Sequence, residues 1–139
     1  MTYEILDHPA DVKFRTHGKT VEDAFSEVVP AVSALVGGAD DSPQRTVTLD
    51  IELGARNLEA LLFDFLNQLI LFQDIEAAVV TQAADFHIEQ TENGYQISAT
   101  VQAVPIPPDQ PRLDIKAPTY SQMRVEQTDG WTIEAVLDV

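Results

Sequence analysis

The sequence contains no cysteine, which excludes disulfide bonds, zinc–thiolate sites and cysteine nucleophiles. It also lacks an apolar run of bilayer length and a segment that resembles a signal peptide, so we expect a cytoplasmic protein without a membrane partner. Basic residues are scarce: 8 Lys+Arg stand against 23 Asp+Glu, for a formal net charge of −15. Because phosphate contacts need basic side chains, we expect no direct nucleic-acid binding.

The 139 residues, of which 45% are hydrophobic, suffice for one compact domain with a buried core. With no repeat, low-complexity tract or linker in view, we predict a single domain over residues 1–139. The acidic excess favours solubility, cation binding or docking onto a basic partner, although a merely solvated acidic surface is the simpler interpretation. Three bases, Lys13, Arg15 and Lys19, lie close together in the sequence.

The spacing of apolar residues predicts two principal helices. The first begins after Thr20, whose side chain can cap it, and ends at Gly37-Gly38. Pro30 lies inside this pattern, so we expect it to kink or interrupt the helix. The second covers residues 57–74 with Asn57 as its N-cap and forms the central core helix.

Alternation of apolar and polar residues predicts the strands. They are expected at residues 2–6, 11–16 and 45–53, once or twice within 76–90, after a hairpin signal at 92–94, within 112–127, and from 131 to the end, after a turn at Asp129-Gly130. The proline-rich run at 104–111 is predicted to be an exposed loop or an edge, because proline lacks the N–H that a ladder needs. These elements predict an α+β fold: a mainly antiparallel sheet packed by two principal helices in a single two-layer domain.

Motifs of nucleophilic or nucleotide chemistry are missing. There is no Gly-x-Ser-x-Gly elbow, no phosphate-binding glycine loop and no His-Glu-x-x-His. The histidines, His8, His17 and His87, are scattered, and each is more typical of a turn or surface residue than of a catalytic base.

Two carboxylates are set apart by their positions. Asp11 begins a predicted strand on its polar side, and Asp138 lies on the polar side of the final strand, followed by Val139 with an expected free α-carboxylate. If the final strand lies beside the second, the three carboxylates form an oxygen-rich cluster suited to Ca²⁺, Mg²⁺ or Mn²⁺. Solvated acids at a frayed terminus are the alternative, and spacing alone favours that alternative.

Five segments, in order, resemble those of one family. They are Asp7-His8-Pro9-Ala10-Asp11-Val12, Gly18 to Phe25, Leu58 to Leu66, Lys116-Ala117-Pro118-Thr119-Tyr120 with Met123 and Val125 after it, and Asp138-Val139. On these segments the whole chain resembles the archease family. Pro9 stands where the family has threonine and Pro118 where it has an apolar residue, and the Gly-Glu pair expected before the fourth segment is absent. Because of these departures, we expect the surface of this chain that would dock on a partner to differ from that of other family members.

The resemblance implies a non-enzymatic accessory protein that promotes guanylylation and turnover of an RtcB-type RNA ligase in tRNA splicing and RNA repair. It also implies a divalent-metal site at Asp11, Asp138 and Val139, with Ca²⁺ the ion we expect first in a structure. Two alternatives stay open. One is a chaperone or adaptor for a tRNA-modifying enzyme, and the other is a metal-dependent hydrolase that uses the same carboxylates with His8 as acid or base.

Overall fold

The computed structural model describes residues 2–6, 11–38, 46–106 and 113–139. In these ranges the elements are β1 Thr2–Leu6, β2 Asp11–Gly18, α1 Val21–Ser26, α2 Val28–Val36, β3 Val47–Ala55, α3 Leu58–Glu76, β4 Ala78–Thr91, β5 Gly94–Pro105, β6 Ala117–Gln127 and β7 Trp131–Asp138. The predicted α+β class is confirmed, with the first helical region divided into α1 and α2. Among the described helices, none is long and apolar enough to cross a membrane.

The strands form two antiparallel sheets. Sheet A has the order β1-β2-β7-β6, and sheet B has the order β3-β5-β4. The helices contact both sheets: α1 packs on β2, β7 and β4, while α3 packs on β6 and on the strands of sheet B. One hydrophobic core therefore joins sheets and helices. Its fully buried members include Phe14, Phe25, Leu61, Phe65, Ile97 and Ile133.

Pro30 accounts for the break in the first helical region. Helix α1 ends at Ser26 and α2 begins at Val28, with Glu27 between them. In a continuous helix, the proline ring would clash with the carbonyl four residues earlier, which is that of Ser26. The break places Pro30 in the first turn of α2, where proline is tolerated. The predicted interruption is confirmed, and Gly37, with φ of 113°, ends α2 as expected.

Both predicted helix starts are confirmed by side-chain caps. The Thr20 hydroxyl accepts a hydrogen bond from the Asp23 N–H at 3.1 Å, and the side-chain oxygen of Asn57, Oδ1, accepts one from the Ala60 N–H at 2.7 Å. Each cap satisfies an N–H that the first turn of a helix leaves unpaired. Helix α3 extends two residues beyond its predicted end, to Glu76.

The proline-rich run differs from its prediction where it begins. Residues 104–105 are the end of β5, the central strand of sheet B, and residues 107–112 lie outside the described ranges. The ladder between β3 and β5 stops before Pro105, which pairs only with β4. The N–H of Ile106 donates to the Ala77 carbonyl at 2.9 Å. Successive N–H groups of a strand point to opposite sides, so the Pro105 nitrogen points away from β4, toward the side of β3. The ladder with β3 has already ended there, so the missing N–H of Pro105 costs no hydrogen bond.

The remaining turns follow their predictions. One strand, β4, occupies the region in which one or two were expected, and it pairs with β5 across a turn in which Thr91 faces Gly94. Asp129 and Gly130, with φ of 51° and 102°, turn the chain from β6 into β7. This last turn makes β7 antiparallel to β6 and directs it back along β2.

Replacing Asn57 by alanine is expected to lower the free energy of unfolding by about 1 kcal/mol, because the Ala60 N–H loses its cap. Urea denaturation measures this as a lower midpoint with an unchanged slope. Asn67→Ala is the matched control, since Asn67 is exposed within α3 and alanine favours a helix. Equal losses in the two variants would contradict the role of the cap.

Candidate functional site

The structure brings two of the three predicted site residues together. Strands β2 and β7 are neighbours in sheet A, and Asp11 is the register partner of Asp138. Side chains directly opposite in an antiparallel pair share one face, with Cβ atoms about 4.5–5.5 Å apart. Asp138 is exposed, Asp11 is partly buried, and Val139 follows Asp138 with 36% of its surface exposed. We refer to Asp11 and Asp138 as the acid pair.

Asp7, His8 and Pro9 lie outside the described residues. Of the other histidines, His17 has its Nδ1 atom 3.2 Å from the Thr132 hydroxyl, and His87 is exposed on β4. Both have the surface positions expected for them.

The acid pair shares its face of sheet A with a group of ionic side chains. Lys13 and Arg15 follow Asp11 at two-residue spacing along β2, so all three point to the same side. On β7, Glu134 lies four residues before Asp138 and is the register partner of Arg15. The alternation that places the acid pair outside the core therefore places these ionic groups beside it.

Glu134 is the centre of this ion cluster, although only 7% of its surface is exposed. Its Oε1 atom accepts hydrogen bonds from Arg15 Nε at 2.7 Å and from Arg124 Nη2 at 2.8 Å, and its Oε2 atom is 3.5 Å from Lys13 Nζ. Arg15 also donates to Glu4 Oε2 at 3.0 Å. Because these residues come from four strands, the cluster joins β1, β2, β7 and β6 across the whole of sheet A.

The charges of the cluster decide its protonation. Burial raises the pKa of the Glu134 carboxyl, but the hydrogen bond from Arg15 and the positive charges of Arg124, Lys13 and Arg15 outweigh burial and hold that pKa below its usual value. The hydrogen bond to Glu134 raises the pKa of Arg15 although burial opposes it. Glu134 is therefore ionised at neutral pH. Its charge and that of Glu4 offset the cations, so the face does not offer a free anion site.

Sequence reasoning did not identify Glu134 as a site residue, although two features of the sequence point to it. Alternation assigns Glu134 to the polar side of β7 together with Asp138, and the nearby bases Lys13 and Arg15 are conspicuous in an acidic chain. What alternation does not reveal is the strand that faces Glu134. Of the three bases that lie close together in the sequence, Lys19 is exposed beyond the end of β2. The described ion pairs of Glu134 are with Lys13, Arg15 and Arg124, so Lys19 is not a member of the cluster.

The segment at residues 116–120, the fourth of the family resemblance, lies beside the acid pair. The Lys116 N–H donates to the Asp138 carbonyl at 2.9 Å, and Ala117 is the register partner of Asp138 in β6. The backbone of Asp138 is thus held between β2 on one side and the start of β6 on the other.

Strand β6 departs from regular pairing just after this point. Its register with β7 shifts between Thr119 and Arg124, and Gln122 within the irregular stretch has φ of 59°. Tyr120 stacks on Phe63 of α3 with ring centroids 4.3 Å apart. Pro118 is buried in this strand, which is an edge of sheet A and so tolerates proline. The irregular stretch therefore anchors the edge of sheet A to α3.

The acid pair fits part of a metal site. Carboxylate oxygens are the donors that hard divalent cations prefer. Among the described residues, however, no group of three or more His, Cys, Asp or Glu side chains is placed to hold a metal ion. A cation at the acid pair would need further oxygen ligands, and the predicted one is the α-carboxylate of Val139.

A family model and the sequences of known relatives both match this chain over nearly its whole length. The model of the Archease protein family (MTH1598/TM1083) matches residues 3–139. The chain is 31% identical to Protein archease of Pyrococcus abyssi over 141 residues, covering 99% of this chain and 98% of that protein. It is 34% identical to Protein archease of Methanosarcina barkeri over 142 residues, covering 99% and 95%.

Two solved structures share the fold. The solution structure of Methanobacterium thermoautotrophicum protein 1598 has a TM-score of 0.81 at 23% identity and covers 99% of this chain and 98% of its own. The crystal structure of an archease from Thermotoga maritima, described as a possible chaperone, has a TM-score of 0.63 at 20% identity and covers 96% and 94%. At these identities the structural likeness establishes the fold.

Glu134→Gln is expected to lower the free energy of unfolding at neutral pH by about 1–3 kcal/mol, because three cations lose a buried anionic partner. The folded-state pKa of Glu134 is depressed, so its contribution is fully present above the unfolded pKa of about 4.3 and is lost as pH falls through the lower folded value. Urea unfolding at several pH values tests this expectation. The difference between the two proteins shrinks below about pH 4.

Glu126→Gln is the control, because Glu126 pairs with Arg124 at 3.4 Å on the exposed surface. Its effect is expected to stay within about 0.5 kcal/mol. A difference between wild type and Glu134→Gln that is constant over pH would show that the Glu134 charge does not support the fold.

Proposed function

The chain belongs to the archease family, and from this premise we propose that it is a non-enzymatic accessory protein that activates an RtcB-type RNA ligase in the cytoplasm. In this role it promotes guanylylation and repeated turnover of the ligase during tRNA splicing and RNA repair. The observation that carries the proposal is the pairing of Asp11 with Asp138. It brings the two aspartates that the resemblance implies as metal ligands onto one face of sheet A, although 126 residues lie between them in the printed sequence.

We further propose that Asp11, Asp138 and the α-carboxylate of Val139 hold a divalent cation, Ca²⁺, Mg²⁺ or Mn²⁺. Two carboxylates directly opposite each other repel, and like charges at such positions destabilise a sheet. A bound cation supplies the positive charge that offsets this repulsion. The chain's own residues hold the two carboxylates on neighbouring strands and keep Asp138 exposed to a partner.

The ion cluster supports this role by fixing the framework under the acid pair. Glu134 bonds to Arg15 on β2 and to Arg124 on β6, so both neighbours of β7 are tied to it on the face that carries Asp138. A binding group works best when its supporting residues are themselves locked in place. The net charge of −15 adds a preference for a basic partner surface, toward which it accelerates encounter.

A chaperone or adaptor role, with a tRNA-modifying enzyme as client, is the second candidate. Its support is the description of the Thermotoga maritima archease as a possible chaperone. The hydrolase alternative gains no support from the described cavities. An open cleft of 560 Å³ lies at the opposite end of β2 and β7 from the acid pair, and His17, Lys19, Asp129 and Trp131 are among its lining residues, without Asp11 or Asp138.

Asp138→Ala is expected to abolish stimulation of ligase guanylylation while leaving the fold intact, because Asp138 is exposed at the end of its strand. The measurement is covalent GMP incorporation into a purified RtcB-type ligase, with and without this protein. Asp64→Ala is the control, since it removes one exposed carboxylate from α3. Full stimulation by Asp138→Ala would refute the ligase role of this site. Suppression of client aggregation in chelator, unchanged in Asp138→Ala, would favour the chaperone role instead.

Asp138→Asn is expected to change stability in opposite directions with and without metal. In chelator it raises the free energy of unfolding by about 0.2–1 kcal/mol, because the repulsion facing Asp11 is removed. With Ca²⁺ at 100 times its dissociation constant, wild type gains about 2.7 kcal/mol, and the variant loses this gain. Thermal unfolding with Ca²⁺, Mg²⁺ or Mn²⁺ measures both effects. An equal metal response in Asp138→Asn and wild type would exclude the acid pair as the site.

A further inference from the structure

A narrow groove lies between the second half of α3 and β3, on the other sheet from the acid pair. It encloses 180 Å³, and its lining includes Thr48 and Leu49 of β3 with Leu71, Phe72 and Ile75 of α3. Leu71 is 49% exposed and Ile75 is 71% exposed. Because residues four apart on a helix lie on one face, these two side chains form a continuous apolar wall that the described part of the chain leaves uncovered.

The groove opens at a free strand edge. Strand β3 pairs with β5 on one side, and in the described ranges no strand pairs with its other side. Nine residues long, it contains no proline and no lysine, the residues that most often protect an edge from pairing, and its only charged side chains are the carboxylates of Asp50 and Glu52. Thr48 and Leu49 point to opposite faces of the sheet, yet both line the groove, so the groove reaches the edge itself.

The two elements that form the groove carry charge of a single sign, and one of their carboxylates, that of Glu76, lines it. Together α3 and β3 contain no Lys, Arg or His, and all their ionisable side chains are carboxylates: Asp50, Glu52, Glu59, Asp64, Asp74 and Glu76. Of the arginines that flank β3, Arg45 lies outside the described residues and Arg56 lies at the far end from Thr48. Two copies of this chain meeting through this surface would set carboxylates against carboxylates. The charge therefore favours a basic partner over self-association.

We propose that this groove docks an extended, basic segment of a partner protein, which pairs with the free edge of β3 and places aliphatic side chains against Leu71 and Ile75. In strand addition, main-chain hydrogen bonds give affinity, and alternate side chains give specificity. Every second side chain of such a segment faces the groove, and the others are free to meet the carboxylates. The cavity is smaller than the roughly 300–1,000 Å³ of small-molecule sites, so it suits side chains. The proposal is independent of ligase activation.

The probe is a fluorescein-labelled peptide of alternating lysine and valine, seven residues long, titrated with the full chain in fluorescence anisotropy. We expect saturable binding that Leu71→Ser and Ile75→Ser each weaken about tenfold, the loss of one buried aliphatic contact. Both side chains are exposed, so the fold is expected to be kept, and thermal unfolding verifies this. Ile5→Ser is the matched control: Ile5 is 48% exposed but lies on β1, an edge of sheet A, and its replacement is expected to leave binding unchanged.

Two further peptides separate strand pairing from general attraction to an acidic protein. A lysine–valine peptide with alternate N-methylated amides cannot complete a ladder, and a lysine–serine peptide keeps the charge without the aliphatic groups. Both are expected to bind at least about tenfold more weakly than the probe. Equal binding of either peptide, or an equal loss in Ile5→Ser, overturns the proposal. Dimerisation of the chain in sedimentation experiments that Leu71→Ser abolishes would assign the groove to a second copy and also overturn it.

Discussion

The pairing of β2 with β7 is the constraint on which the rest of the structure depends. It sets Arg15 against Glu134 on one face and Phe14 against Ala135 on the other. Because side chains alternate along a strand, a slip of one residue would move Glu134 toward the core and its apolar neighbours toward water. The salt bridge and the hydrophobic face therefore specify the same register. That register also makes Asp11 the partner of Asp138, so the acid pair is a consequence of packing elsewhere in the ladder.

Among the described strand pairs, this one joins residues that lie farthest apart in the sequence. In the described chain, strand β2 precedes every helix and β7 follows every other strand. The ladder between β2 and β7 therefore closes a chain loop that contains all the described helices and the whole of sheet B. Closing such a large loop costs conformational entropy before the contacts repay it. The acid pair therefore exists only in the assembled native state, and any loosening of the core under sheet A separates its two carboxylates.

How far the sequence predicts this arrangement depends on whether the signal is local. The caps at Thr20 and Asn57 and the break before Pro30 were predictable, because each depends on residues within one helical turn. The polar faces of β2 and β7 were predictable from alternation. Strand neighbours were not, since alternation gives the face of a residue but not its cross-strand partner. The acid pair could therefore be predicted only on the condition that β2 and β7 are neighbours, and the burial of Glu134 was not predicted. The prediction that residues 104–105 lie in a loop or an edge was wrong, because they end the central strand β5.

The two sheets differ in how they distribute charge, and this difference bears on recognition. On sheet A the cations around Glu134 are matched by carboxylates, and the two carboxylates of the acid pair lie opposite each other at the end of the same ladder. Helix α3 and strand β3 themselves contain carboxylates and no basic side chain. At physiological salt, charges separated by more than about 8 Å are largely screened. The net charge of −15 therefore acts mainly on encounter, and each surface has to select its partner through the few groups within contact distance: two opposed carboxylates on one sheet, and an apolar wall beside a free strand edge on the other.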